Sequence, residues 1–129
     1  MTTARIEAVS PSMELRIRDI DATGKKLGRV ASEAAKILLG KDTTTMKKNA
    51  VLNVTVRVKN ASALEITEKK KIQKTYHSHS GYLGSDRALS LAHIIDKKGH
   101  GEALKRAVKG MLPTNTLRDK RLKHLVIEE

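Results

Sequence analysis

The chain has no cysteine. That excludes disulfides, thiolate zinc sites and thiol nucleophiles together, and it fits a reducing compartment. It also has no Trp, no Phe and only two Tyr. A core must therefore come from Leu, Ile, Val, Ala and Met, which suits alanine-rich helices packed on valine-rich strands. Acids are scarce: 14 Asp and Glu stand against 26 Lys and Arg. No apolar run approaches the ~18 residues of a membrane span. The opening "MTTARIEAVSPSM" has no apolar stretch of the kind a secretory signal needs. Residues 1–14 are expected to form a flexible N-terminal arm, and 15–129 one domain.

What is present is positive charge. The formal net charge is +12 over 129 residues. Residues from Lys69 onward carry 14 basic and 6 acidic side chains, a net of +8, so the excess lies in the second half. A compact body with that excess repels itself unless a polyanion neutralises it. Nucleic acid is the commonest such partner, and release of its counterions drives the binding. An anionic membrane is the rival, and a merely soluble surface the plain alternative.

Hydrophobic periodicity gives a coarse order of elements. "LRIRDI", residues 15–20, alternates Leu15 and Ile17 against Arg16 and Arg18 and predicts a strand. Leu27, Val30, Ala31, Ala34, Ile37 and Leu38 fall at helical steps, with Arg29, Glu33 and Lys36 on the far side and Gly40 as the stop. "AVLNVTVRV", residues 50–58, sets Leu52, Val54, Val56 and Val58 on one face of a strand. Residues 69–79 read as a strand with a basic entry, placing Tyr76 in register with Ile72 and so in the core. Helices are expected near 87–97 (Leu89, Ala92 and Ile95 inward), 102–111 (Leu104, Ala107, Val108 and Met111 inward) and 117–125. Helices between strands favour an α/β layered fold.

Three constellations could carry chemistry. "KTYHSHSGYLGS", residues 74–85, holds both tyrosines and two of the five histidines. His77 and His79 share a strand face, but zinc wants four ligands and nothing in the spacing supplies the rest. Ser78 or Ser80 beside a histidine lacks the strand–turn–helix elbow of a serine nucleophile, and no acid adjoins it. "GYLG" fits G-x-x-G, yet a KH clamp lies between helices and is basic between its glycines. Contact with RNA remains. Lys74, His77, His79 and Ser80 offer donors to phosphate or 2′-hydroxyl, Tyr82 can stack on a base, and Gly81 lets backbone approach a phosphate.

"GKKLGR" is not a P-loop, because its lysines stand in the wrong places. A helix start flanked by Lys25, Lys26 and Arg29 still suits an anion. The third constellation is "EALKRAVKGMLPTNTLRDKRLKHL". Lys105, Arg106 and Lys109 lie on the outer side of a helix, and Arg118, Lys120, Arg121 and Lys123 continue the basic surface. Such a helix could lie on a membrane, but no Trp or Phe anchors it. Lys36, Lys41 and Lys70 complete the candidate RNA-binding set. No catalytic residue, metal ligand or cofactor is assigned. The rival readings are a metal-dependent hydrolase centred on His77 and His79, and a regulator that binds messenger RNA.

"DATGKKLGRVASEAAKILLGK", "HSHSGYLG" and "RAVKGMLPTNTL" resemble the signature segments of the large-subunit ribosomal protein thirteen family in its bacterial form. The resemblance implies a three-layer α/β/α fold with a central, mostly parallel four-stranded sheet. It implies binding to large-subunit ribosomal RNA beside neighbouring ribosomal proteins, a role early in subunit assembly, a cytoplasmic place on the ribosome, and no catalysis. The family's RNA-facing segments fall on Lys25, Lys26 and Arg29, on His77, His79, Ser80, Gly81 and Tyr82, and on Lys109, Gly110 and Met111. The chain departs from the pattern at "DTTTMKKNAVLNVT", at Ser85, at "KKGHG" and at the closing "LVIEE", which sets two acids where RNA is expected.

Overall fold

The computed structural model describes residues 15–44 and 46–129; the expected arm, 1–14, lies outside them. Strand β1 (Arg16–Asp21) leads into helix α1 (Leu27–Leu39), and β2 (Val54–Lys59) follows. A short 3-10 turn (Ala61–Ala63) and α2 (Glu68–Gln73) precede the strands β3 (Thr75–Ser78) and β4 (Arg87–Ser90). Then come α3 (Leu91–Lys98), α4 (His100–Met111), α5 (Arg118–Leu122) and β5 (Leu125–Ile127). The main sheet is parallel, in the order β1-β2-β5; β3 and β4 form a separate antiparallel pair. The α/β class is as expected.

The four-stranded central sheet is not found: three strands make it up among the described residues. The segment expected to add a strand, 69–79, begins as helix α2. Its run of Glu, Lys and Gln favours helix over strand, and the remainder pairs locally with β4. Ile72 consequently sits on a helix and is 72% exposed, so it cannot share a core face with Tyr76.

Val54, Val56 and Val58 line the covered face of the sheet at 5%, 0% and 0% exposure. The alanines of α1 (Ala31, Ala34, Ala35) pack into one cluster with Val56, Val58, Leu104 and Val108. Both crossovers join parallel neighbours in the order β1-β2-β5, and their usual right-handed sense puts the helices on the same side. The opposite face is left open among the described residues, with Ile17 52% and Val126 42% exposed. Among the described residues the expected third layer is not seen. The register β1↔β2 aligns Arg16, Arg18 and Ile20 with Val54, Val56 and Val58. Ile17 thus points to the open side, the reverse of what its hydrophobicity suggests.

Three boundaries differ from the sequence reading. Residues 87–90 are strand, and Ser90 starts α3 by accepting a hydrogen bond from the His93 N–H at 3.3 Å. The buried residues of α3 are then Leu91 and Ile94 rather than Leu89, Ala92 and Ile95. Met111, expected inside, is 43% exposed at the end of α4. The last helix stops at Leu122, and Leu125 pairs with Val56 as strand.

The closing acids have structural work. The Glu128 N–H donates to the Val58 carbonyl at 2.8 Å, and its own carbonyl accepts from the Ala61 N–H at 3.0 Å. Glu129 Oε1 accepts from the Gly101 N–H at 3.0 Å, which satisfies a free donor in the first turn of α4. The Glu128 carboxylate lies 3.6 Å from Arg57 Nε, so both closing acids have a partner within the chain.

Two predictions follow from this packing. Gly40 closes α1 at φ 79°, and a Cβ there would meet the Leu52 side chain. Gly40→Ala should cost roughly 2 kcal/mol from left-handed strain and overpacking, seen as a lower urea midpoint at unchanged slope. Asp21 anchors the β1–α1 turn by accepting from the Thr23 hydroxyl (2.7 Å), the Thr23 N–H (3.0 Å) and Asn60 (3.2 Å). These bonds, the Thr23 hydroxyl first, lower its carboxyl to about 2. A depressed folded value favours the native state above the unfolded carboxylate range, about pH 4, and that gain fades as pH falls. It is gone below about pH 2. Asp21→Asn should therefore lose less stability than the parent between those pH values, measured by urea midpoints across the range.

Candidate nucleic-acid interface

Helix α4 buries Ala103, Leu104 and Val108. Helical spacing then turns Glu102, Lys105, Arg106 and Lys109 to the other side. Across from them stand Arg118, Asp119 and Lys123 from α5 and its end, with Thr75, Tyr76 and His77 of β3 forming a third wall. Together they enclose an open groove of about 820 Å³ that Gly110 and Leu122 also line. Five cations and two acids face it, a net of +3 with His77 neutral.

The groove is internally braced. Arg106 Nε donates to Glu102 Oε1 at 3.0 Å one helical turn away, and its guanidinium lies 5.0 Å from the centre of the Tyr76 ring. Lys74 Nζ is 5.5 Å from the same ring. Cations at these distances are attracted to the ring's negative face. Partial burial raises the Tyr76 phenol above its ordinary value, with Arg106 pulling the other way. The hydroxyl therefore stays protonated at neutral pH and can donate. Tyr76 is half-buried and held between cations, so it shapes the groove wall and does not offer a free ring. Arg118 Nε is buried without a hydrogen-bond partner among the described residues.

Beyond the groove, β3 and β4 carry a loop that holds its own shape. Gly81 (φ 93°) and Gly84 (φ 74°) adopt left-handed backbone. The Gly81 N–H donates to His79 Nδ1 at 2.9 Å, the Ser85 hydroxyl donates to the Tyr82 carbonyl at 2.6 Å, and the Ser80 N–H donates to Ser85 Oγ at 3.3 Å. This fixes Tyr82 and Leu83 outward, at 79% and 105% exposure. An exposed ring on a rigid loop is a platform for an unpaired base. The Ser85 departure from the family pattern is thus absorbed as a loop brace.

The acid that the sequence did not place beside the histidines is Asp86, whose Oδ2 lies 3.8 Å from His77 Nδ1. Both side chains are about two-thirds exposed, so water reaches the pair freely. Among the described residues no three His, Asp or Glu side chains are placed to hold a metal ion.

The remaining candidates are spread over the surface. Lys25, Lys26 and Arg29 lie exposed at the start of α1, where Lys25 approaches Glu33 at 3.9 Å. They do not line the groove, and neither do Lys36, Lys70 and Lys120. Lys41 borders a second, more apolar depression of about 480 Å³ with Lys48, Met46 and Met111.

Arg121 is the clear correction. It is 2% exposed, and its Nη2 donates to the carbonyls of Lys48 and Ala50 at 3.3 and 3.4 Å. It ties the loop before β2 to α5 and cannot belong to the basic surface. The short α5 turns this one position of its basic run inward, because the loop carbonyls there need a donor. Lys105 joins Arg106 and Lys109 in the groove, as its place on the outer side of the helix suggested, whereas the acids Glu102 and Asp119 were not among the candidates.

The family model described as "Ribosomal protein L13" matches residues 16–127. The large ribosomal subunit protein uL13 of Citrifermentans bemidjiense is 43% identical over 108 residues, 84% of this chain and 75% of that protein. The uL13 of Pelobacter propionicus is 40% identical over 124 residues, 96% of this chain and 84% of that protein. The uL13m of Neurospora crassa is 42% identical over 103 residues, 80% of this chain and 56% of that protein. With the family model spanning nearly all the described residues, and relatives this similar along most of its length, the chain belongs to the ribosomal protein L13 family.

Proposed function

We propose that this chain is a structural, non-enzymatic constituent of the large ribosomal subunit in the cytoplasm. It binds large-subunit ribosomal RNA and supports an early stage of subunit assembly, with residues 15–129 acting as one domain. Family membership supports the ribosomal place. The observation that carries the RNA reading is the groove, where five cations from two separate helices converge with a net charge of +3.

The mechanism is positional. Helix α4 holds Lys105, Arg106 and Lys109 at helical spacing, and α5 sets Arg118 and Lys123 opposite. A phosphate backbone laid between them is neutralised from both sides, and counterions are released. Arg106 is pre-aligned by Glu102 and the Tyr76 ring; less side-chain freedom is then lost on binding. The loop at 79–86 supplies contact of another kind: Tyr82 stacks on an unpaired base while His77 and Ser80 reach phosphate or 2′-hydroxyl. Lys25, Lys26, Arg29, Lys36, Lys41, Lys70, Lys74 and Lys120 add screened, longer-range attraction. Gly110 leaves open space at the groove wall for a close backbone approach. No observation favours a hydrolase, since His77 and His79 face solvent and a loop amide occupies His79 Nδ1.

Two measurements test this reading. Lys109→Ala should weaken binding to large-subunit RNA whatever its sequence and reduce the slope of log affinity against log salt by about one. An unchanged slope would remove Lys109 from the interface. Tyr82→Ala should cost about 1–3 kcal/mol of RNA affinity while leaving the salt slope in place; a loss confined to the slope would show that the ring does not stack. Co-sedimentation of the wild-type chain with large subunits in a sucrose gradient checks the ribosomal assignment itself.

A further inference from the structure

The open face of the parallel sheet is not explained by RNA binding. Parallel sheets are ordinarily covered on both faces, and this one is covered on one among the described residues. The uncovered side presents Ile17 from β1, Thr55, Arg57 and Lys59 from β2, and Val126 from β5. Ile17 and Val126 are large apolar residues left 52% and 42% exposed, with Leu15 at 59% where the chain enters β1.

The charges on this face differ from those of the rest of the molecule. Lys59 Nζ is 2.6 Å from Asp19 Oδ2, and Arg57 Nε is 3.6 Å from Glu128 Oε1. Both cations are thus committed to carboxylates of neighbouring strands. With Asp21, the face holds three acids and two bases, a net of −1 on a chain of net +12. Among the described residues of this face both cations are already paired, so a phosphate backbone gains little here.

We propose that this face is a protein-docking surface, covered in the large subunit by a neighbouring basic ribosomal protein that brings apolar side chains against Ile17 and Val126 on the two edge strands and cations against the acids. The inference rests on the ribosomal reading above. Apolar Ile17 and Val126 would lose their contact with water in that interface, as in the core of a protein–protein contact. The slight acidity of the face selects a basic protein surface over RNA. The partner would supply the second cover that a parallel sheet requires, and with it the third layer.

The absence of cysteine makes the test clean. Ile17→Cys and, separately, Val126→Cys each introduce a single thiol at an exposed position of a side chain outside the core. Maleimide labelling is timed on the free protein and on purified large subunits that contain it, and a cysteine-directed benzophenone on the same thiol identifies the neighbour. The expected result is labelling slowed by an order of magnitude or more in the subunit, with the photoadduct on a basic large-subunit protein. Equal labelling rates in free and assembled protein would overturn the proposal. So would an adduct on ribosomal RNA, on a second copy of this chain or on its own residues 1–14. If wild-type protein does not enter large subunits, the ribosomal reading itself fails. If wild-type enters and both folded variants do not, the face is required for assembly, as the proposal holds.

Discussion

Everything in this molecule leans on the contact between the small side chains of α1 and the valines of β2. Ala31 and Ala34 have no measurable exposure, and neither do Val56 and Val58. Alanine lets the helix axis come close to the sheet and to α4, and the β-branched valines fill the pleat beneath. With no large rings available, close approach replaces bulk as the means of excluding water. A cavity here would be felt throughout, because Leu104 and Val108 of α4 belong to the same cluster. The orientation of α4 is fixed by this contact. So, therefore, is the direction in which its lysines and arginine point.

That coupling turns a basic composition into a binding surface. A chain of net +12 could scatter its charges evenly and remain a soluble body. Here the apolar seam of α4 is locked against α1, so the opposite seam faces β3 and α5 and a groove forms between them. Glu102 and Asp119 moderate the field without cancelling it, and Glu102 also steers Arg106. Other acids play a different part. They pair the cations of β2, brace the β1–α1 turn through Asp21, and satisfy the first turn of α4 through Glu129. The groove thus carries a net positive charge, while the cations of the open sheet face are paired with acids.

The departures of this chain from its family's pattern have local compensation. Ser85 braces the loop that presents Tyr82. The "KKGHG" segment makes a tight break between α3 and α4, with Gly99 at φ 83°. The altered stretch before β2 is held by Arg121 through two main-chain carbonyls. In each case a polar side chain or a glycine holds the local backbone.

The sequence alone determined the elements whose periodicity is strong and local: β1, α1 with its Gly40 stop, the valine face of β2, and the basic outer seam of α4. It also pointed to a polyanionic partner, since charge excess depends on composition and not on shape. Only the tertiary structure decided the rest, because those outcomes turn on partners distant in the chain. The run 69–79 split into helix and strand when β4 offered it a local antiparallel edge. Ile17 faced outward because the β1–β2 register, and not its own hydrophobicity, set its side. Arg121 turned inward because two loop carbonyls 71 and 73 residues away needed a donor. Asp86 came beside His77, and Tyr76 between Lys74 and Arg106, through strand pairing and helix packing that no spacing in the sequence records.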